Sequence, residues 1–331
     1  MLKTTLVGSI ILASTTLTSA CGGSSSDVNQ ASAGSANTAG TGNAAGSANT
    51  AGSAGSAGSA GSAGSAGSSG ATPNGEKFSF FVTSLKAMRD LSGSSDGFGG
   101  DLRYGETGVG AGLRGADKIC AAVAEKSLPG NGKTWRAFLS ATQGEDGNPV
   151  NAVDRIGEGP WYDRTGRLLA QNKTDLATER PTGADGAIVN DLPNEDGVPN
   201  HAPDASGEVD NHDTLTGTND KGQLFSSDAA FTCNDWTSAV GGDGTPHCGH
   251  SWPRMGGPGG GGGKNAPPLT TPGAPGGTVM GSGNNWMSAL NESGCAPGAF
   301  VVEMGPPGAN GTKSVGDGGG YGGIYCFALT P

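Results

Sequence analysis

The sequence predicts an α+β domain built from few short elements and long loops. Three observations carry that expectation. A single clear helical stripe occurs, with Ile119, Cys120, Val123 and Ala124 on one face at 3.6-residue spacing. A handful of short aromatic and branched runs read as strands. The connections between them are rich in Gly and Asp, and 64 of the 331 residues are Gly. Hydrophobic residues make up 34 % and the formal net charge is −11. The acidic balance has the wrong sign for phosphate contacts, which excludes nucleic acid as a partner. Glycine does not recur in strict G-X-Y register, which excludes collagen.

In chain order, Met1 to Ala20 has the layout of a secretory signal: Lys3, an apolar stretch from Leu6 to Leu17, then Thr18, Ser19 and Ala20. The stretch is too short for a permanent membrane span. Cys21 follows the small residues directly, and this resembles a bacterial lipobox, whose Cys is lipidated and becomes the new N-terminus. Gly22 after it resembles outer-membrane sorting in Gram-negative bacteria. The expectation is an exported protein anchored to the membrane by lipid at Cys21. An ordinary signal peptide with an incidental Cys is the other reading.

Residues 21–75 form a Gly/Ala/Ser-rich linker. Asp27 is its one charge and it has no aromatic residue. Such a segment cannot bury enough apolar surface to offset its conformational entropy. As a flexible coil it spans roughly 40 Å end to end. Residues 76–331 hold every aromatic residue and the other five cysteines. A Gly/Pro-rich low-complexity loop at 256–283 interrupts this domain.

Within the domain, Phe78 to Val82 reads as a strand and Asp117 to Lys126 as a helix stopped by Pro129-Gly130. Trp135, Ala137 and Leu139 alternate with Arg136, Phe138 and Ser140 in a second strand. Phe300-Val301-Val302 and Ile324 to Leu329 are two more, and Leu215 to Thr218 is a return to structure after an acidic loop. Trp135, Trp161, Trp236 and Trp286 are expected in the core, and Trp252 at the surface. An exported protein sits where disulfides persist. Five cysteines, Cys120, Cys233, Cys248, Cys295 and Cys326, leave one thiol over. The pairing does not follow from the residues alone.

Five segments then occur in order: Gly115 to Cys120, Trp135 to Ser140, Gly159-Pro160-Trp161, Cys233 to Ser238 and Ile324 to Phe327. Together they resemble the endostatin-like branch of the C-type lectin-like fold, most closely bacterial lipoproteins that carry such a domain. The resemblance implies nested disulfides, Cys120 with Cys326 and Cys233 with Cys295. It leaves Cys248 as a free or ligand thiol. The outer bridge would contribute on the order of 4–5 kcal/mol. The Ca²⁺ motifs of sugar-binding members, Glu-Pro-Asn or Gln-Pro-Asp with Trp-Asn-Asp, are not here. Asn234-Asp235-Trp236 has the letters in another order and reads as structural. Endostatin's zinc ligands lie near its N-terminus, and residues 70–86 contain no His.

Two candidate metal clusters remain. Between Pro181 and Asp220 there are nine carboxylates and no Lys or Arg. Asp191, Asn194, Glu195, Asp196, Asp210 and Asp213 offer the hard oxygens that Ca²⁺ takes, and a solvated acidic loop is the plainer alternative. His247 and His250 flank Cys248, and with His212 or Asp213 as a fourth ligand they have the donors of a zinc site. A plain loop with a free thiol is the plainer alternative there. Neither G-x-S-x-G, H-E-x-x-H nor a P-loop is present, and no residue is assigned a catalytic role. The expected function is a cell-surface, non-catalytic module that binds an extracellular protein or carbohydrate. The alternatives are an envelope structural lipoprotein without a ligand and a secreted metal-dependent enzyme.

Overall fold

The structure, a computed structural model, describes residues 76–200, 211–253, 283–301, 307–308 and 311–331. The leader, the linker, Asp210 and most of the 256–283 loop lie outside the described residues. Among the described residues, no helix is long and apolar enough to cross a membrane.

The elements are β1 (Phe80–Val82), α1 (Leu85–Ser92), α2 (Ala111–Ser127), β2 (Trp135–Ala137), β3 (Trp161–Tyr162), β4 (Leu168–Ala170), α3 (Lys173–Leu176), β5 (Asp213–Leu215), β6 (His247–His250), β7 (Leu290–Asn291) and β8 (Gly320–Ala328). The fold is mixed α and β, with short strands and few helices. The spine is β8, whose nine residues are all buried. It pairs antiparallel with β1 and β2 and parallel with β5, in a sheet ordered β1-β8-β5-β6-β7. A separate hairpin joins β3 and β4.

Strand alternation sorts the core into two layers. Ile324, Cys326 and Ala328 face one layer with Phe81, Ile119, Cys120, Val123, Trp135, Ala137 and Leu139. Tyr325 and Phe327 face the other, with Phe80, Val82, Phe138, Trp161 and Trp286. The four expected core tryptophans are buried. Trp252 is half-buried instead of exposed, because its ring lies edge-on against His212.

The bridges Cys120–Cys326 and Cys233–Cys295 are formed, and Cys248 is a buried free thiol. The outer bridge joins α2 to β8 across the first core layer.

Several element boundaries differ from the expectation. The helix begins six residues early, at Ala111, across Gly112 and Gly115. Gly weakens a helix intrinsically, but packing requires it here: a Cβ on Gly112 would stand 2.1 Å from the Asp235 carbonyl oxygen. The second strand leaves the β8 ladder after Ala137. The Phe138 N–H still bonds to the Tyr325 carbonyl, while Ser140 turns to Thr216. Phe300 and Val301 form no strand; the Phe300 N–H makes one bond, to Gly320. The first strand starts at Phe80, with Phe78 in an isolated bridge to Tyr162. Helix α1 has no sequence counterpart above, although its caps are ordinary. Ser84 accepts the Ala87 N–H, and Gly93 takes the left-handed conformation.

Cys233, Asn234, Asp235 and Trp236 have φ of 46°, 60°, 58° and 63°, a complete left-handed turn. The Asp235 carboxylate holds it by accepting the Thr142 N–H and hydroxyl. The Trp236 indole N–H donates to the Ser140 carbonyl.

Candidate metal centre

The antiparallel register of β5 and β6 sets Asp213 directly opposite His250, so the two side chains share a face at close range. On its other edge Asp213 pairs with Gly320 at a register shift. A Cβ on Gly318 would stand 2.6 Å from Asp213 Oδ2, so that loop approaches the carboxylate only as glycine. His250 Nε2 lies 3.0 Å and His212 Nε2 3.4 Å from Asp213 Oδ1. The two imidazoles meet edge to face at 4.3 Å. All three side chains are buried, and one ligand atom from each lies within 4.8 Å of the others.

The surroundings fix the orientation of these groups. His250 Nδ1 bonds to the Gly283 carbonyl, which can only accept. Nδ1 therefore carries the proton, and in the neutral ring Nε2 presents its lone pair to Asp213. Arg180 donates to the carbonyls of Val189, His250 and Ser251, fixing the end of β6. Glu292 follows β7 and packs its carboxyl against Asp213, while its Oε2 accepts the Gly318 N–H at 2.9 Å. Burial, and then the neighbouring Asp213 charge, push the Glu292 carboxyl well above the usual carboxylate range.

Among the described residues, His212, Asp213 and His250 form the only group of three or more His, Cys, Asp or Glu side chains that converge in this way. Of the zinc donors expected from sequence, His250 converges with His212 and Asp213, whereas His247 and Cys248 do not join them; the described acidic residues are dispersed. Glu195 places one carboxylate oxygen on the Ser84 N–H and the other on its hydroxyl, at the start of α1. Asn194 Oδ1 accepts the Asp196 and Val198 N–H groups within its own turn. The Asp191 N–H bonds to Ile188. Among the described members of that set, only Asp213 belongs to the cluster; Asp210 lies outside the described residues.

His247 is parted from His250 by strand alternation. Its ring stacks on Phe225 at 3.7 Å, and its nitrogens meet Asn291 Oδ1 and Ser288 Oγ. Burial, the leading cause, lowers its pKa to about 4. Cys248 shares the face of His250 but lies opposite Leu215, two pairs further along. Burial foremost, with the charges of Glu292 and Asp213, raises its thiol well above the ordinary range, the condition of an inert thiol. Sequence reasoning missed Glu292, which stands alone in the chain and reaches the site only through β7.

A second concavity of about 590 Å³ lies between α2 and β2. Arg114 and Lys118 pair there with Glu106, and Arg136 and Arg155 with Asp117, while Lys133 donates to the Glu76 and Phe78 carbonyls.

A scan against protein-family models finds no match to this chain, and a search of curated proteins finds none either. The functional reading therefore rests on the residues and their geometry.

Proposed function

We propose that this chain is an exported, lipid-anchored, non-catalytic binding module. In this reading an endostatin-like, C-type lectin-like domain is held off an outer membrane by a Gly/Ala/Ser spacer. There it engages an extracellular protein or glycan. The supporting observation is the cysteine pairing. Five cysteines can form two bridges in 15 ways, from five choices of the one left over and three pairings of the other four. The bridges present are the nested pair that the resemblance implies. Packing supports it too: β1 and β8, from the two ends of the domain, lie side by side, which lets one tether carry the whole unit.

Fractionation of cells carrying the full chain, with and without Cys21→Ala, tests the anchor. The wild-type chain is expected with membranes and the variant in the soluble fraction; a variant that stays on membranes overturns the lipid anchor. Glycan and matrix-protein arrays probed with the full chain test the binding role. Saturable binding to one ligand class is expected, and blank arrays would turn the reading to an envelope structural protein.

A further inference from the structure

We propose that His212, Asp213 and His250 hold one divalent transition-metal ion of the imidazole-binding class, Zn²⁺ being the plainest case. The proposal stands apart from the lectin-like reading. Zinc bonds of about 2.0–2.1 Å to nitrogen and oxygen place tetrahedral ligand atoms roughly 3.3 Å apart. The observed 3.0 and 3.4 Å separations from Asp213 Oδ1 match that spacing. The Gly283 carbonyl accepts from His250 Nδ1, which turns Nε2 toward the Asp213 carboxylate oxygen at 3.0 Å. One ion at their centre would bond all three atoms that converge here.

The surroundings have the features of a metal site. A carbonyl orients one imidazole, and a second carboxyl packs on the ligating one. Gly318 and Gly320 leave room where any side chain would crowd Asp213. Two nitrogens and one oxygen suit zinc, cobalt, nickel or ferrous iron. Ca²⁺ wants six to eight oxygens. Fewer than four side chains ligate, so at least one coordination position stays open to Glu292, to water or to a small ligand.

The test is titration of the full, disulfide-intact chain, stripped with a chelator, with Co²⁺ and then Zn²⁺. One equivalent of Co²⁺ should give visible ligand-field bands, Zn²⁺ should remove them, and excess Ca²⁺ should not. Proton spectra of the Co²⁺ form should show two shifted, exchangeable imidazole N–H signals. His212→Ala and His250→Ala should each weaken binding beyond the about 10–100-fold seen when a group that merely orients a ligand is lost. His247→Gln and Cys248→Ala should leave the bands in place. The proposal is overturned if Co²⁺ gives no bands, if Ca²⁺ displaces it, or if Cys248→Ala abolishes the spectrum. It is equally overturned if the metal-free chain shows only an imidazolium–carboxylate pair that Zn²⁺ does not alter. Should the alanine variants fail to fold, the count of shifted N–H signals in the wild-type chain decides.

Discussion

Replacing Cys120 and Cys326 together by Ala opens a bridge that spans 206 residues. The chain-entropy treatment gives about 5.4 kcal/mol for a loop of that length. The inner bridge spans 62 residues of the same loop, and its shortcut leaves roughly 144, for which the treatment gives about 5.0 kcal/mol. Nesting therefore changes the expectation little, because closure entropy grows only with the logarithm of length. For a domain of this size 1 kcal/mol moves the melting temperature by about 2–4 °C. The double variant should melt about 10–20 °C lower than the oxidised wild type. Equilibrium urea unfolding, followed by fluorescence of the buried tryptophans, measures the free energy directly. A reductant added to the wild type opens the inner bridge as well and should lower the melting temperature at least as far as the variant's. A double variant that melts within about 3 °C of the oxidised wild type would refute the reasoning, since the bridge would then constrain little in the unfolded chain.

His247 gives the domain an acid limit. Its folded pKa of about 4 lies below the ordinary 6.5. The stability it contributes is full above about pH 6.5 and is lost as the pH falls toward 4, about 3 kcal/mol in all. His247→Gln should flatten that limb of the pH–stability curve; an unchanged slope assigns it elsewhere. Asp117→Asn strips the carboxylate from the buried Arg155 guanidinium and should cost about 3–5 kcal/mol. A urea midpoint equal to the wild type would contradict it. Gly249→Ala would put a Cβ 1.9 Å from the Trp286 carbonyl oxygen, whereas Gly242 has open space. The first variant should fail to accumulate folded, while Gly242→Ala stays within about 0.5 kcal/mol. Equal melting of the two would show that β6 can shift to make room.

The core was more legible than the candidate site. Alternation in Trp135 to Ser140 and Ile324 to Leu329 shows which side chains share a layer, and both layers form as that pattern requires. Helix α2 was legible where its stripe is apolar. It was hidden where Gly112 and Gly115 meet neighbouring backbone, since the reason for those glycines lies in another segment. The metal cluster was legible only in part: the sequence groups His250 with His212 or Asp213, but also with His247 and Cys248, which do not join it. Asp213 reads as one acid among nine, and His250 reads with Cys248. Only the β5–β6 register sets them opposite each other. Glu195 was misleading for the opposite reason: its carboxylate serves the backbone and side chain of Ser84, a partner 111 residues away.

The left-handed turn at Cys233 to Trp236 couples folding to oxidation. Cys233 and Trp236 in that conformation cost about 1–2 kcal/mol each, about 2–4 kcal/mol together, while Asn234 and Asp235 adopt it more readily. Cys233 belongs to the inner bridge, and Asp235 turns its carbonyl toward Gly112 of α2. While Cys233 is bridged, the turn is one end of a closed loop. With Cys233 reduced, packing alone must hold a conformation that the backbone disfavours. The turn is then a loaded spring whose catch is a single sulfur–sulfur bond, and its release would withdraw the floor on which the first turn of α2 sits.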